Sequence, residues 1–438
     1  MRRAKLLVLA AMAAAPAAIL AQAPTVTVFE GARLIVGDGR APIDNATFVV
    51  TGNRFTAVGR AADVRVPAGA TRVNLAGKTV MPTIIDTHNH LSQTREMLIT
   101  DLKRRVYYGV SAAESLGQDT TDVSFQIREE TRANLIPGAA RFFTAGRGIT
   151  GPEPGRTTAP HWVTTAAEAR AAVDEEAAKK VDRLKFWVDD RMGTVKKLTP
   201  ELYTAIIDEA HKKGLQTITH IYTLEDAKGV LRAGVDAFAH GVRDQDVDDE
   251  FMALVKKNPN FVIGPNMPDR GVRTDLSFLR ESIPPADFAK LEAANKDDAK
   301  AHEFWSIQGR NLAKLNAAGV KVVVGTDGNT PYAPHLEMED MVAAGMTPMQ
   351  VIVAATRNGA QFLRINEAGT IEANKSADFI VLDANPLDNI TNTRRISSVY
   401  LRGAQMDRAA FRVNQTQEAR DFVRGFFWAS LRKTWSAV

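Results

Sequence analysis

The chain has 438 residues, 45% hydrophobic and 24% charged, an ordinary composition for a soluble globular protein with one large core and a smaller one. Its 55 basic and 51 acidic residues are scattered, with no basic block interleaved with aromatics, so no nucleic-acid partner is expected. The absence of cysteine excludes disulfides and a lipid-modified cysteine anchor.

Arg2, Arg3 and Lys5 precede Leu6-Leu7-Val8-Leu9 and an alanine-rich apolar run to Leu20, followed by Ala21-Gln22-Ala23. The apolar run is short and a polar chain follows, so residues 1–23 read as a secretory signal rather than a membrane span. Pro24 disfavours cleavage directly after Ala23, which leaves a cut after Ala21 as an equal alternative. A bacterial periplasmic or secreted protein with no stable membrane anchor is the expectation.

From residue 24 to 81 the pattern is short strands, Thr25–Phe29, Ala46–Thr51 and Phe55–Val58, separated by turn dipeptides such as Asp38-Gly39 and Gly52-Asn53. Between residues 82 and 368, short apolar strands alternate with longer amphipathic helices, the rhythm of a parallel sheet with crossovers. Eight strands are expected: Ile84–His88, Gly109–Glu114, Ala140–Ala145, Leu184–Val188, Gln216–His220, Val235–His240, Phe261–Pro265 and Lys321–Gly325. Thr165 with Glu168 reads as a capping box, and Thr199-Pro200 as a cap followed by a first-turn proline. Spread over roughly 280 residues, this α/β pattern suits one (β/α)8 TIM-like barrel, near the typical size of ~250. Strand patterns return at Asp378–Leu382 and Ser398–Leu401, so residues 24–81 and 369–410 are expected to form a small composite β-sandwich. In the last segment, 411–438, Phe422, Phe426, Phe427, Leu431 and Trp435 fall at helical spacing. That helix either packs on its own barrel or contacts a second copy in a homo-oligomer.

Five groups along the chain suggest a metal site. In a strand, residues two apart share a face, so His88 and His90 of Asp86-Thr87-His88-Asn89-His90 aim together. His220 and His240 each end a strand-like run, and the carboxyl ends of barrel strands are where catalytic groups collect. Four of only eight histidines thus sit at strand ends; His211 and His302 lie in helix patterns, and His161 and His335 in loop or helix-start contexts. Lys185 sits inside Leu184-Lys185-Phe186-Trp187-Val188, where burying an ammonium is costly. Its bland explanation is a salt bridge to Asp189 or Asp190. Its sharper one is carboxylation by carbon dioxide, which turns a further positive charge between two divalent ions into a bridging anion. Asp327, in Gly325-Thr326-Asp327-Gly328 after the eighth strand, can act as metal ligand and proton shuttle.

The order Asp-x-His-x-His, Lys, His, His, Asp resembles the binuclear-metal amidohydrolase superfamily, and within it the imidazolonepropionase-like and prolidase-like secreted members that keep the lysine. Val80-Met81-Pro82, Gly109-Val110-Ser111, Gly345-Met346-Thr347-Pro348, Ala354-Ala355-Thr356 and Gly369-Thr370-Ile371-Glu372…Ala377-Asp378…Asn385-Pro386-Leu387 carry the same resemblance across nearly the whole mature chain. It implies two divalent metal ions, with zinc expected. His88 and His90 would hold one ion and His220 and His240 the other, with carboxylated Lys185 bridging and Asp327 serving as ligand and general base. Two departures stand out. Gly146-Arg147-Gly148-Ile149-Thr150-Gly151 lacks the histidine that relatives carry after the third strand, with His161 as an open substitute. Asn374 stands where a glycine is usual.

The expected reaction is hydrolysis of an amide-type carbon–nitrogen bond in a small molecule such as a dipeptide, an N-acyl amino acid or an aryl amide. Carbamates, lactones and other esters remain alternatives on the same site. A binding protein without catalysis is a remote rival, since all six ligand positions are filled. Tyr222 is read either as an oxyanion donor or as a rim aromatic. Arg147, Arg243 and His335 are candidates to meet a substrate carboxylate.

Overall fold

A computed structural model describes residues 25–412. The expected leader, and all but the first two positions of the expected C-terminal helix, lie outside the described residues. Before the barrel region run β1 (Val26–Leu34), β2 (Ile43–Thr51), β3 (Arg54–Arg60), β4 (Thr71–Asn74) and β5 (Thr79–Pro82). The middle of the chain holds β6 (Ile84–Asn89), β7 (Val110–Ser115), β8 (Arg141–Thr144), β9 (Ile149–Thr150), β10 (His161–Trp162), β11 (Leu184–Val188) and β12 (Thr217–Ile221). It continues through β13 (Ala237–Phe238), β14 (Val262–Ile263) and β15 (Lys321–Val322), and the chain then returns through β16 (Phe379–Leu382), β17 (Ile396–Leu401) and β18 (Ala404–Gln405).

The described segments before and after the barrel region meet in one eight-stranded sheet of order β18-β17-β16-β5-β1-β2-β3, with β4 also pairing β1. The expected sandwich takes the form of a single sheet rolled on itself. Phe55 on β3 and Phe379 on β16 lie four places apart in that order, yet their rings are 5.8 Å apart. The bend falls in β1, where register shifts flank Ala32 and Gly31 takes the left-handed φ of +86° that a side chain would resist. Phe29, Phe48, Phe55, Phe379 and Tyr400 fill the roll, all buried.

The eight expected barrel strands all appear, but in two parallel ladders, β6-β7-β8 and β10-β9-β11-β12-β13-β14-β15. Single bonds bridge the seams. On one side Thr87 N donates to Val324 O at 2.9 Å and Thr326 N to His88 O at 3.0 Å; on the other Asp182 N donates to Thr144 O at 2.9 Å. β13, β14 and β15 have only two residues each, and pairing continues past them as isolated backbone bonds, Ala239 N to Thr219 O, Gly264 N to Phe238 O and Val323 N to Ile263 O, each 2.9 Å. The two-residue β9 and β10 were not anticipated. Small residues line the interior, among them Ala112, Ala145, Ala237 and Ala239, with Phe362 and Leu363 in the same buried cluster.

The helices start where their caps indicate. Thr165 and Glu168 form a reciprocal capping box, and Thr199 caps a helix with Pro200 at its first turn. Asn374 does take a left-handed φ of 70°. Among the described residues no helix is long and apolar enough to cross a membrane.

Arg141 of β8 ties barrel to roll: its Nη1 lies 2.6 Å from Asp378 Oδ2 and its Nη2 donates to Ser376 Oγ at 3.1 Å, all three residues being buried. Removing one partner of a buried pair leaves an uncompensated charge. Arg141→Met is therefore expected to destabilise the protein by about 3–5 kcal/mol, read as a lowered denaturation midpoint. A midpoint equal to that of the unaltered protein would show that Asp378 needs no counter-charge.

Candidate metal centre

The site forms where the seam between β6 and the end of the β15 segment closes. Gly325 passes so close to β6 that an added Cβ would sit 2.8 Å from the Cβ of His88. Asp327 then turns back with a φ of 46°, its backbone N donating to His88 O at 2.9 Å. This places Asp327 Oδ1 2.8 Å from His90 Nε2 and 3.2 Å from His88 Nε2, and Oδ2 3.7 Å from His240 Nε2. His88, His90 and Asp327 present donor atoms within 4.8 Å of one another, close enough to hold one metal ion. The rings of His88 and His240 are 5.2 Å apart, and those of His220 and His240 4.4 Å. Four imidazoles and one carboxylate therefore share one cluster.

Lys185 is wholly buried and its amine has no hydrogen-bond partner among the described residues. The bland explanation fails, because Asp189 is taken by His220 and Arg191 instead. Room for the lysine comes from two glycines. A Cβ on Gly117 would meet Trp187 at 2.5 Å and Lys185 Cγ at 2.8 Å, and one on Gly148 would meet Trp187 at 2.2 Å.

Burial sets the protonation of the cluster. It pushes the His88 imidazole down to about 3 despite Asp327, His220 down to about 4 despite Asp189, and His240 well below its ordinary value, helped by Arg243. At neutral pH all three are neutral, the form that binds metals. Burial also lowers Lys185 to about 7, with Asp327 pulling the other way. Burial alone would raise Asp327, but His88 and His90 hold its carboxyl well below the usual range.

Around this cluster, Arg243 Nη2 donates to His240 Nδ1 at 2.5 Å and leaves Nε without a partner among the described residues. Arg243 N donates to Tyr222 O at 2.9 Å, and burial raises the Tyr222 phenol while Arg243 and Asp189 act on it electrostatically, so both residues stand beside the cluster. The other three substrate-contact candidates have partners elsewhere. The Arg147 guanidinium holds its own loop, donating to the carbonyls of Ala159 at 2.7 Å and Pro160 at 3.3 Å. His161 Nε2 lies 2.8 Å from Glu176 Oε1, with Lys179 on the same carboxylate at 3.0 Å. His335 is buried between Thr393 Oγ1 at 3.0 Å and the carbonyl of Tyr108 at 2.9 Å, among aromatic side chains.

Sequence reasoning missed Asn266, whose amide lies 3.0 Å from His240 Nδ1, and Asp189 in its role on His220. Asn266 carried a signal, since it follows the Phe261–Pro265 run as His240 follows its own. It also missed Glu337, which accepts from Met267 N at 2.9 Å and so anchors the turn bearing Asn266.

Fold and site together define a TIM-barrel-type α/β hydrolase with a histidine-rich centre able to hold metal. The chain matches the amidohydrolase family over residues 79–406 and belongs to it, as a hydrolase acting on carbon–nitrogen bonds. It is 26% identical over 376 residues to imidazolonepropionase of Streptomyces coelicolor, covering 78% of this chain and 86% of that one. A putative prolidase from Bifidobacterium longum superposes with a TM-score of 0.72 at 25% identity, covering 92% of this chain and 99% of the other. Phenylurea hydrolase B gives a TM-score of 0.71 at 22% identity, covering 88% and 98%.

Proposed function

We propose that the protein is an exported, binuclear metal-dependent hydrolase that cleaves an amide-type carbon–nitrogen bond in a small substrate. The observation that carries this reading is the Lys185 amine, buried without a partner among the described residues beside the imidazole–carboxylate cluster. A structural cation would have been given a counter-ion. A buried amine lowered to about 7 is partly neutral, and a neutral amine adds carbon dioxide, losing a proton to become a carbamate. His88, His90 and Asp327 would hold one ion, His220 and His240 the other, and the Lys185 carbamate would bridge them. A set of nitrogen and oxygen donors suits zinc, which would polarise the substrate carbonyl and lower the pKa of water.

The chain's own groups supply the rest. Asp327 takes the proton of the attacking water and passes it to the leaving nitrogen. Tyr222, a protonated phenol at neutral pH, donates to the oxygen on which negative charge develops. Arg243, whose Nε has no partner among the described residues, would meet an acceptor on the substrate, which favours a dipeptide or N-acyl amino acid. The leader read in residues 1–23 supports action outside the cytoplasm.

Metal analysis of the purified protein, followed by a substrate panel, tests this reading. Two transition-metal ions per chain and turnover of dipeptides, N-acyl amino acids or aryl amides are expected. Absence of bound metal, or turnover confined to lactones, would overturn it.

A further inference from the structure

A histidine offers a metal only one ring nitrogen at a time, and the hydrogen on the other decides which. Asp189 Oδ2 lies 2.9 Å from His220 Nε2. An ionised carboxylate can only accept, so Nε2 carries the hydrogen and the lone pair is left on Nδ1. Asp189 is itself clamped: Arg191 Nη1 donates to Oδ2 at 2.6 Å and Arg191 N to Oδ1 at 2.8 Å. The carboxylate is buried. Arg191 begins a turn in which three successive residues are left-handed, Arg191 (φ 53°), Met192 (φ 56°) and Gly193 (φ 80°). Two of these are not glycine, a conformation that persists only where surrounding contacts enforce it. One such contact is Glu153, whose Oε1 lies 3.3 Å from Arg191 Nε while its Oε2 lies 2.9 Å from Arg156 Nε. A line of alternating charges thus runs from the 153–156 loop to the ring of His220.

We propose that Asp189, held by Arg191, is a positioning residue that makes His220 ligate through Nδ1. The inference rests on the metal-site reading above. Asp189 fixes both the tautomer and the ring orientation of His220, so the second ion has a preformed nitrogen. The strained turn exists to bring the Arg191 backbone and guanidinium onto the same carboxylate.

The test uses the full chain with 15N-labelled histidine and chelator-competition titration of zinc. The metal-free protein is expected to show His220 as the Nε2–H tautomer. Asp189→Ala is expected to weaken one of the two zinc sites by about 10- to 100-fold and leave the other unchanged. Asp189→Asn, whose amide oxygen can still accept from Nε2–H, is expected to retain part of that affinity. Arg191→Asn, whose side chain tolerates the left-handed turn, is expected to fall between Asp189→Asn and Asp189→Ala. An Nδ1–H tautomer in the unaltered protein overturns the proposal even if no variant folds. So does an Asp189→Ala protein that binds both ions as tightly as the parent, and in that case the metal reading survives. A parent that binds no zinc overturns both.

Discussion

Replacing Asp327 by asparagine is expected to lower turnover by about 10²- to 10⁴-fold, the range that positioned proton transfer supplies, while metal remains bound. The substitution is close to isosteric, and asparagine accepts the left-handed φ of 46° found there. The turn that follows Gly325 should therefore survive, as should its backbone bonds to His88 O. What is lost is basicity. The carboxylate lies within 3.2 Å of two imidazole nitrogens, which favour its ionised form, and only that form has an oxygen able to take the proton as water attacks. An amide at that position cannot take the proton, nor deliver it to the departing nitrogen. Metal content must be measured on the same sample, since Asp327 is also a proposed ligand. An Asp327→Asn enzyme that holds its metal and turns over at the parent rate would remove Asp327 from the proton-transfer role.

Legibility followed the range of each interaction. His88 and His90 are two apart on one strand, and Lys185 is flanked by apolar residues, so local pattern alone marked them. Their convergence required only that parallel strands deliver their carboxyl ends to one place. The contact residues fared differently because their fate depends on partners far along the chain or on the backbone. Arg147 spends its guanidinium on carbonyls 12 and 13 residues away, which no charge pattern reveals. His335 meets a carbonyl 227 residues distant. Asp189 was visible as a neighbour of Lys185, but its true partner stands 31 residues on. The barrel strands were legible as apolar runs, whereas the division into two ladders was not. That division falls at the two seams, beside β6 and beside β8, where isolated backbone bonds replace a continuous ladder, and local pattern does not mark where pairing stops. The roll likewise depends on a bend at Gly31, and strand patterning does not distinguish a rolled sheet from two facing ones.

Lys185→Met separates two accounts of the buried amine by predicting stability and activity in opposite directions. If the lysine were a structural cation, its loss would strand a buried carboxylate and cost several kcal/mol, about 3–5 for a broken buried pair. Two carboxylates attract the amine, Asp327, already against His88 and His90, and Glu114, also wholly buried. Glu114 Oε1, however, already lies 2.6 Å from Arg183 Nε, and Arg183 also donates to Phe362 O at 2.8 Å. That pair stands without the lysine. Methionine fills much of the same space with apolar atoms, so an unpartnered polar group leaves the interior. The metal-free variant is accordingly expected to be at least as stable as the parent in denaturant. Turnover is expected to fall by about 10³-fold, since the proposed bridge contributes to a centre worth several kcal/mol of transition-state stabilisation. A loss of stability with turnover preserved would make Lys185 a structural residue. The lowered proton affinity would then be a by-product of burial, and the carbamate bridge would have no place in the reaction.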